Sequence, residues 1–306
     1  MNRGPSSTRF LVAAAIFASL ASGQEVKRPR ILGVAHIAFY AHDIERSRAF
    51  YTGMCGFQEP YSLKNPDINF FKINDRQYVE LFPEKEPKTD RLVDIGLETD
   101  NADQLRKYLI SRGVQVPDRV TKNRIGNRTF TVTDPDKHTV EFVQYEPGGR
   151  TMREKGEFMD DHRISAVATH VGIMVKELEP AMKFYRDILG FSEITRTAPK
   201  EKPHLVYMKV PDGESWVEFM MYYDQVPDLA RMGVYHHMGL MVETDLAKNS
   251  VAIFEASPAR KSYTRPVEVR GTPPWQFQIY DPDGSRLEVM LPGVAGKGSP
   301  TAPPTR

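Results

Sequence analysis

Eight residues of this 306-residue chain recur in a pattern that could hold a divalent ion: His36, Glu80, Asp94, Glu141, His170, Glu218, His237 and Glu288. They form four pairs, each a histidine (once an aspartate) followed by a glutamate 44, 47, 48 and 51 positions later. Imidazole nitrogen and carboxylate oxygen are the donors that borderline divalent ions take. A lone strand histidine has an ordinary explanation as a hydrogen-bonded core or rim residue, and a lone glutamate as a solvated one. Their return at equivalent places in a repeat is harder to explain that way. Cys55 is the only cysteine, so a disulfide framework and a thiolate zinc cluster are both excluded. Any metal falls to histidines and carboxylates.

The elements that must carry these residues repeat four times, over residues 31–82, 90–145, 165–223 and 234–292. Each segment opens with a short strand holding His36, Asp94, His170 or His237. A helical pattern follows. In the third segment Pro180 suits a first helical turn, Ala181, Phe184, Tyr185 and Ile188 make one stripe, and Gly190 ends it. The first segment repeats this with Ser47, Phe50, Tyr51, Met54 and Gly56, and the second with Leu105, Tyr108, Leu109 and Gly113. The fourth, with Leu246, Ile253 and Phe254, fits more weakly. Extended strands close each segment around turns at Asn74-Asp75, Asp134–Lys137, Pro211–Gly213 and Asp281–Gly284, and the strand after each turn carries the glutamate.

Strand alternation then predicts where the side chains go. Val171, Ile173 and Val175 form an apolar face suited to packing beneath a helix, with His170, Gly172 and Met174 opposite. Val217, Phe219 and Met221 oppose Trp216, Glu218 and Met220; Met238, Leu240 and Val242 oppose His237; Leu287, Val289 and Leu291 oppose Glu288. Histidine and glutamate thus share the face of a curved sheet away from the helices. If neighbouring units pair, one cleft holds His170, Glu218, His237 and Glu288 and the other His36, Glu80, Asp94 and Glu141. If outer and inner units pair, the sets are His36, Glu80, His237 and Glu288, and Asp94, Glu141, His170 and Glu218. The polar stretch at 147–164, read as a linker between two halves, favours neighbours. Around a divalent ion, two histidines and two glutamates sum to zero charge. The set with Asp94 sums to −1, a preference for harder ions.

These residues bear a family resemblance. The stretch from His170 to Val175, with Ala181, Phe184, Tyr185, Leu189, Gly190 and Phe191, is similar to the glyoxalase I signature. The whole of 31–292 resembles the vicinal oxygen chelate (VOC) superfamily of glyoxalase I, extradiol dioxygenases and fosfomycin- and bleomycin-resistance proteins. The first unit, with Ala41 and Cys55 where larger aliphatic residues are usual, fits less well. The resemblance implies an α+β fold of four βαβββ modules in two paired-module domains, at 31–146 and 165–292. It also implies a divalent ion (nickel, zinc, manganese or iron(II)) chelated by two neighbouring substrate oxygens.

Three functions follow from it. In a glyoxalase-like isomerase or lyase the ion would stabilise an enediolate, with Glu288 as the base and Glu218 its counterpart. An iron dioxygenase would need only His170, His237 and Glu288. The extradiol branch, however, carries a catalytic His shortly before its second ligand His and a Tyr two residues ahead of the turn. Here only His236 precedes His237, and Tyr280 abuts Asp281. A sequestering protein would line its cleft with aromatics such as Trp216, Trp275, Tyr222 and Tyr223, but the intact His and Glu set argues against that role alone. The isomerase or lyase is the leading expectation.

Composition bounds the rest. With 40% hydrophobic and 26% charged residues the chain can bury a core, and Lys+Arg 41 against Asp+Glu 40 leaves no footprint for nucleic acid. Arg3 and Arg9, the apolar run 10–21 and small residues at 21–23 read as a signal peptide over 1–23, followed by no lipid-anchoring cysteine. The Gly-, Pro-, Ser- and Thr-rich end, 293–306, reads as a disordered tail. The expectation is an exported, periplasmic or secreted protein, monomer or homodimer, acting on a small molecule and away from membranes once the leader is gone.

Overall fold

The structure, a computed structural model, describes Met1 and residues 26–87, 90–242, 254–257, 260–261, 267–270 and 276–290. Apart from Met1 the proposed leader lies outside them, as do the tail, Trp275, Leu246 and Ile253. The first unit consists of β1 (Ile31–Ala41), α1 (Ile44–Arg48), β2 (Gln58–Leu63), β3 (Ile68–Asn74) and β4 (Gln77–Pro83). The second has β5 (Leu92–Thr99), α2 (Ala102–Ser111), β6 (Thr121–Lys122), β7 (Arg128–Thr133) and β8 (Thr139–Gln144), followed by α3 (Arg150–Arg153). The third has β9 (Val167–Val175), α4 (Leu178–Met182), β10 (Ser192–Arg196), β11 (Leu205–Lys209) and β12 (Trp216–Met221). After α5 (Met232–Tyr235), the fourth contributes β13 (His237–Met241), β14 (Glu268–Arg270), β15 (Gln276–Tyr280) and β16 (Arg286–Met290).

Local chemistry sets these boundaries. Asp43 starts α1, its carboxylate accepting from the amides of Glu45 and Arg46, and Asn101 caps α2 through the amide of Gln104. α1 and α4 each widen into a π turn, at Ala49–Met54 and Lys183–Ile188. Cys55 N and Leu189 N there reach back five residues, to Phe50 O and Phe184 O. Gly56 and Gly190 follow with φ of +72° and +82°, the left-handed conformation that stops a helix at little cost to glycine.

The strands form two eight-stranded mixed sheets, in order β2-β3-β4-β1-β5-β8-β7-β6 and β10-β11-β12-β9-β13-β16-β15-β14. Each is two units joined by an antiparallel seam of opening strands, β1 on β5 and β9 on β13. Within a unit the opening strand runs parallel to the glutamate strand, β9 with β12 and β13 with β16. Neighbouring units therefore pair. The outer–inner alternative, which would have joined His36 to His237 and Asp94 to His170, is corrected by this order.

Val171, Ile173 and Val175 are fully buried as the alternation required, and the Tyr185 ring packs 5.1 Å from that of Phe219. One apolar cluster runs through both halves. Two tyrosines of the helical stripes cross between the sheets: Tyr51 donates its hydroxyl to Asp281 at 3.3 Å, and Tyr185 to Asp134 at 3.0 Å. The polar stretch after the second unit is firmly attached, because the buried ammonium of Lys72 must be satisfied. It donates to the carbonyls of Glu154 and Glu157 and pairs with Asp75.

Candidate metal centre

On the second sheet the seam and its flanking parallel strands bring together His170, Glu218, His237 and Glu288. One ligand atom from each lies within 4.8 Å of all the others. The two Nε2 atoms are 3.0 Å apart, Glu218 Oε2 lies 3.5 Å from His170 Nε2 and 4.0 Å from that of His237, and Glu288 Oε2 is 3.8 Å from His237 Nε2. Four donors about 2.1 Å from one ion would stand roughly 3.0–3.5 Å apart, so the set needs only a slight contraction. All four residues are buried, the histidines to 1% and 0% exposure.

The hydrogen-bond partners of the two rings suit a bound ion. Thr169 gives its hydroxyl proton to Gly239 O at 3.2 Å, so its oxygen accepts from His170 Nδ1, 3.1 Å away. His237 Nδ1 lies 3.0 Å from Tyr235 O, a carbonyl that can only accept. Bound to an ion, both imidazoles would carry their proton on Nδ1, toward Thr169 and Tyr235, and turn Nε2 lone pairs to the centre. Without one, His237 Nδ1 accepts from Arg286 Nη2 at 2.5 Å and its Nε2 donates to that of His170. Burial, with the positive charge of Arg286 second, pushes the pKa of His170 down to about 3 and that of His237 well below the usual imidazole value. Two imidazole nitrogens and two carboxylate oxygens converge on one point, a donor set suited to a cation. The residues fit a divalent ion.

The rings find room because each lies over a glycine of the facing strand. Pairing sets His237 opposite Gly172 and His170 opposite Gly239. A methyl at Gly172 would fall 1.9 Å from the His237 ring, and one at Gly239 1.9 Å from the His170 ring. Trp216 stacks on His170 at 4.8 Å and 14°, and Gln278 donates to Glu288 at 3.3 Å. These supports hold the donors in place. Sequence reading missed Gly172, Gly239, Thr169, Gln278 and Arg286 as parts of the site. The signal for the glycines was present as His-x-Gly in both opening strands, His170 to Gly172 and His237 to Gly239.

The first sheet brings together His36, Glu80, Asp94 and Glu141 differently. His36 Nε2 lies 2.9 Å from Asp94 and 3.4 Å from Glu141, and its Nδ1 3.4 Å from Glu80. Carboxylates on both edges call for a proton on both nitrogens. Burial opposes that charge, but Glu80, Asp94 and Glu141 prevail and hold the His36 pKa up at about 10. Burial raises Glu80 to about 8 and Glu141 to about 7, with His36 pulling each back. Among the described residues, no comparable convergence of ligand atoms occurs here.

Of the aromatics expected at a cleft, Trp216 is there. Tyr223 instead donates to Pro203 O at 2.8 Å. His236 is buried and points away, its Nε2 3.3 Å from Asp90 on the other half.

Residues 33–142 and 168–289 match the glyoxalase/bleomycin resistance protein/dioxygenase superfamily. No curated protein matches the chain in sequence. Among solved structures it is similar to the 2,3-dioxygenase LapB from Pseudomonas sp. KL28, with a TM-score of 0.68 and 14% identity, over 87% of this chain and 94% of that one. It is also similar to the Mn(II)-bound glyoxalase from Novosphingobium aromaticivorans, with a TM-score of 0.63 and 16% identity, over 90% and 93%. Homoprotocatechuate 2,3-dioxygenase from B. fuscum gives a TM-score of 0.63 and 16% identity, over 87% and 72%.

Proposed function

Because the chain belongs to the glyoxalase/bleomycin resistance protein/dioxygenase superfamily, we propose that it is a metal-dependent enzyme whose single working centre is His170, Glu218, His237 and Glu288. One observation carries this reading: the Nε2 atoms of two buried imidazoles lie 3.0 Å apart and converge with two buried carboxylates. Removing such groups from water costs several kcal/mol per charge, a cost that a bound cation offsets. The ion, whether nickel, zinc, manganese or iron(II), would supply Lewis acidity to two neighbouring oxygens of a small substrate.

The chain's own part is positioning and proton transfer. Thr169 and Tyr235 offer acceptors at the Nδ1 edges of His170 and His237 and would hold both rings in the metal-binding tautomer. The second carboxylate separates the readings. A facial triad is complete with His170, His237 and Glu288, whereas Glu218 adds a fourth donor on the same side. That surplus favours isomerase or lyase chemistry, in which a carboxylate moves a proton between adjacent carbons. Glu288, aimed by Gln278, is the base and Glu218 its counterpart.

Elemental analysis of the purified protein after exhaustive dialysis tests the centre. About one divalent ion per chain is expected, and its absence, with no stabilisation by added nickel, zinc, manganese or iron(II), would remove the reading. Oxygen uptake during turnover would shift the assignment to a dioxygenase. We also propose export with loss of the first 23 residues or so, which N-terminal sequencing of the secreted or periplasmic protein tests.

A further inference from the structure

Among the described residues Arg286 stands beside the candidate metal centre without an anionic partner. It lies opposite His237 in the parallel pair and two residues before Glu288, on the same face. Besides His237, its guanidinium makes three long contacts among the described residues: Met220 Sδ at 3.6 Å and Tyr235 O at 3.4 Å through Nη2, and Gln278 Oε1 at 3.5 Å through Nη1. Among the described residues its buried Nε has no hydrogen-bond partner. Nη2 also lies 2.5 Å from His237 Nδ1. That nitrogen accepts from the guanidinium while it is unprotonated; with Nε2 on a metal it would carry the proton, and Arg286 would lose this partner. A guanidinium has five N–H donors in a fork matched to a carboxylate, and leaving its buried Nε unpaired is costly.

Charge arithmetic agrees. With neutral histidines, the two glutamates cancel a divalent ion, and Arg286 remains as +1. A second orphan donor lies nearby: Trp216 Nε1 is buried without a partner, on the ring that stacks over His170. On the same side of the sheet, Trp216 packs with Tyr207, Met290, Leu205 and Met241, a small apolar cluster separate from the main core.

We propose that the substrate is an organic anion, and that Arg286 binds its acid group while the metal holds a separate pair of oxygens. The inference rests on the metal reading above and adds the ligand's charge and shape: an apolar body against Trp216 and Tyr207, a chelating end at the histidines, and an acidic group at Arg286. Because Arg286 reaches the Nδ1 edge of His237, the edge away from Nε2, the acid is distinct from the chelating oxygens.

The test uses the full chain loaded with Mn(II) under argon, its metal content measured first, and calorimetric titration with two probes. They are 3,4-dihydroxybenzoate and its methyl ester, which share the chelating pair and the ring but differ in charge. Wild-type protein should bind the acid roughly tenfold to a hundredfold more tightly than the ester. At equal measured Mn(II) loading, Arg286→Gln should bring the acid down to the ester's affinity while the ester keeps its own, and Arg286→Lys should keep part of the preference. Equal affinities in the wild type, no binding of either probe, or an equal loss of both in Arg286→Gln would overturn the proposal. A chain that retains no Mn(II) before titration fails the metal reading instead, which distinguishes the two failures.

Discussion

The two clefts occupy the same place in their sheets and share three of four side-chain types, yet their protons are opposite. In the second sheet burial keeps both imidazoles neutral, with their Nε2 atoms at a common point. In the first, His36 keeps two protons and is itself the cation among Glu80, Asp94 and Glu141. A local imidazolium does there what an ion would do in the other cleft. The exchange turns on one position, Asp94 against His237, and its facing residue has changed with it. His36 still lies over a glycine, Gly96, but Asp94 faces Ala38 where His237 faces Gly172. A retained glycine marks a retained ring.

This comparison can be broken at its strongest point. His237→Ala should remove most of the metal and the activity, while His36→Ala leaves metal content at the wild-type level. Elemental analysis of the two variants decides, and metal loss only in the latter would reverse the roles of the clefts. Gly172→Ala should approach the effect of His237→Ala without touching a ligand, because its methyl would fall on the ring. The reverse experiment sharpens the contrast. Asp94→His with Ala38→Gly should create a second two-histidine, two-glutamate set and raise the content toward two ions per chain, whereas Asp94→His alone lacks room for the ring and should not.

Smaller effects follow. Gln278→Ala frees Glu288 and should weaken metal binding on the order of tenfold, read by competition with a chelator. The first cleft should register instead in pH dependence. The His36 pKa, at about 10, stands above the unfolded value of 6.5. Its contribution to stability is therefore complete below pH 6.5 and is lost as pH rises through 10. Glu80, raised from 4.5 to about 8, acts in the same direction over its own interval. Thermal melts of the metal-free protein between pH 6.5 and 10 should fall by roughly 2–4 °C per kcal/mol lost. His36→Gln should flatten that slope, and an unchanged slope would place the cause elsewhere.

Much of this site was legible in the sequence because strand alternation is a strict rule. Once His170 and Glu218 were placed on strands, their faces followed, and the buried partners Val171 and Phe219 left little choice. The supports were not legible, because they depend on pairing. Gly172 and His237 are 65 positions apart in the chain and become neighbours only when β9 meets β13. Arg286, a charged residue just after a turn, reads as solvated until the parallel pair aims it across His237. The helical stripes concealed their π turns because Phe184 and Tyr185 satisfy a 3.6-residue period well enough. Tyr51 and Tyr185 read as apolar core, while their hydroxyls reach the opposite half.

Those two tyrosine hydroxyls bear on how the molecule melts. Each ties a helix of one half to a turn of the other, and the apolar cluster is continuous across them. The halves should therefore unfold as one cooperative unit. Any ion bound only by the second sheet then protects both, by about 2.7 kcal/mol when its free concentration is a hundredfold above the dissociation constant. Amide exchange in β1 and β5 should slow when metal is added, although neither strand supplies a ligand to it. The half without an ion would thus share the thermodynamic benefit of its neighbour's occupancy, linked to it through two phenolic protons and a shared interior.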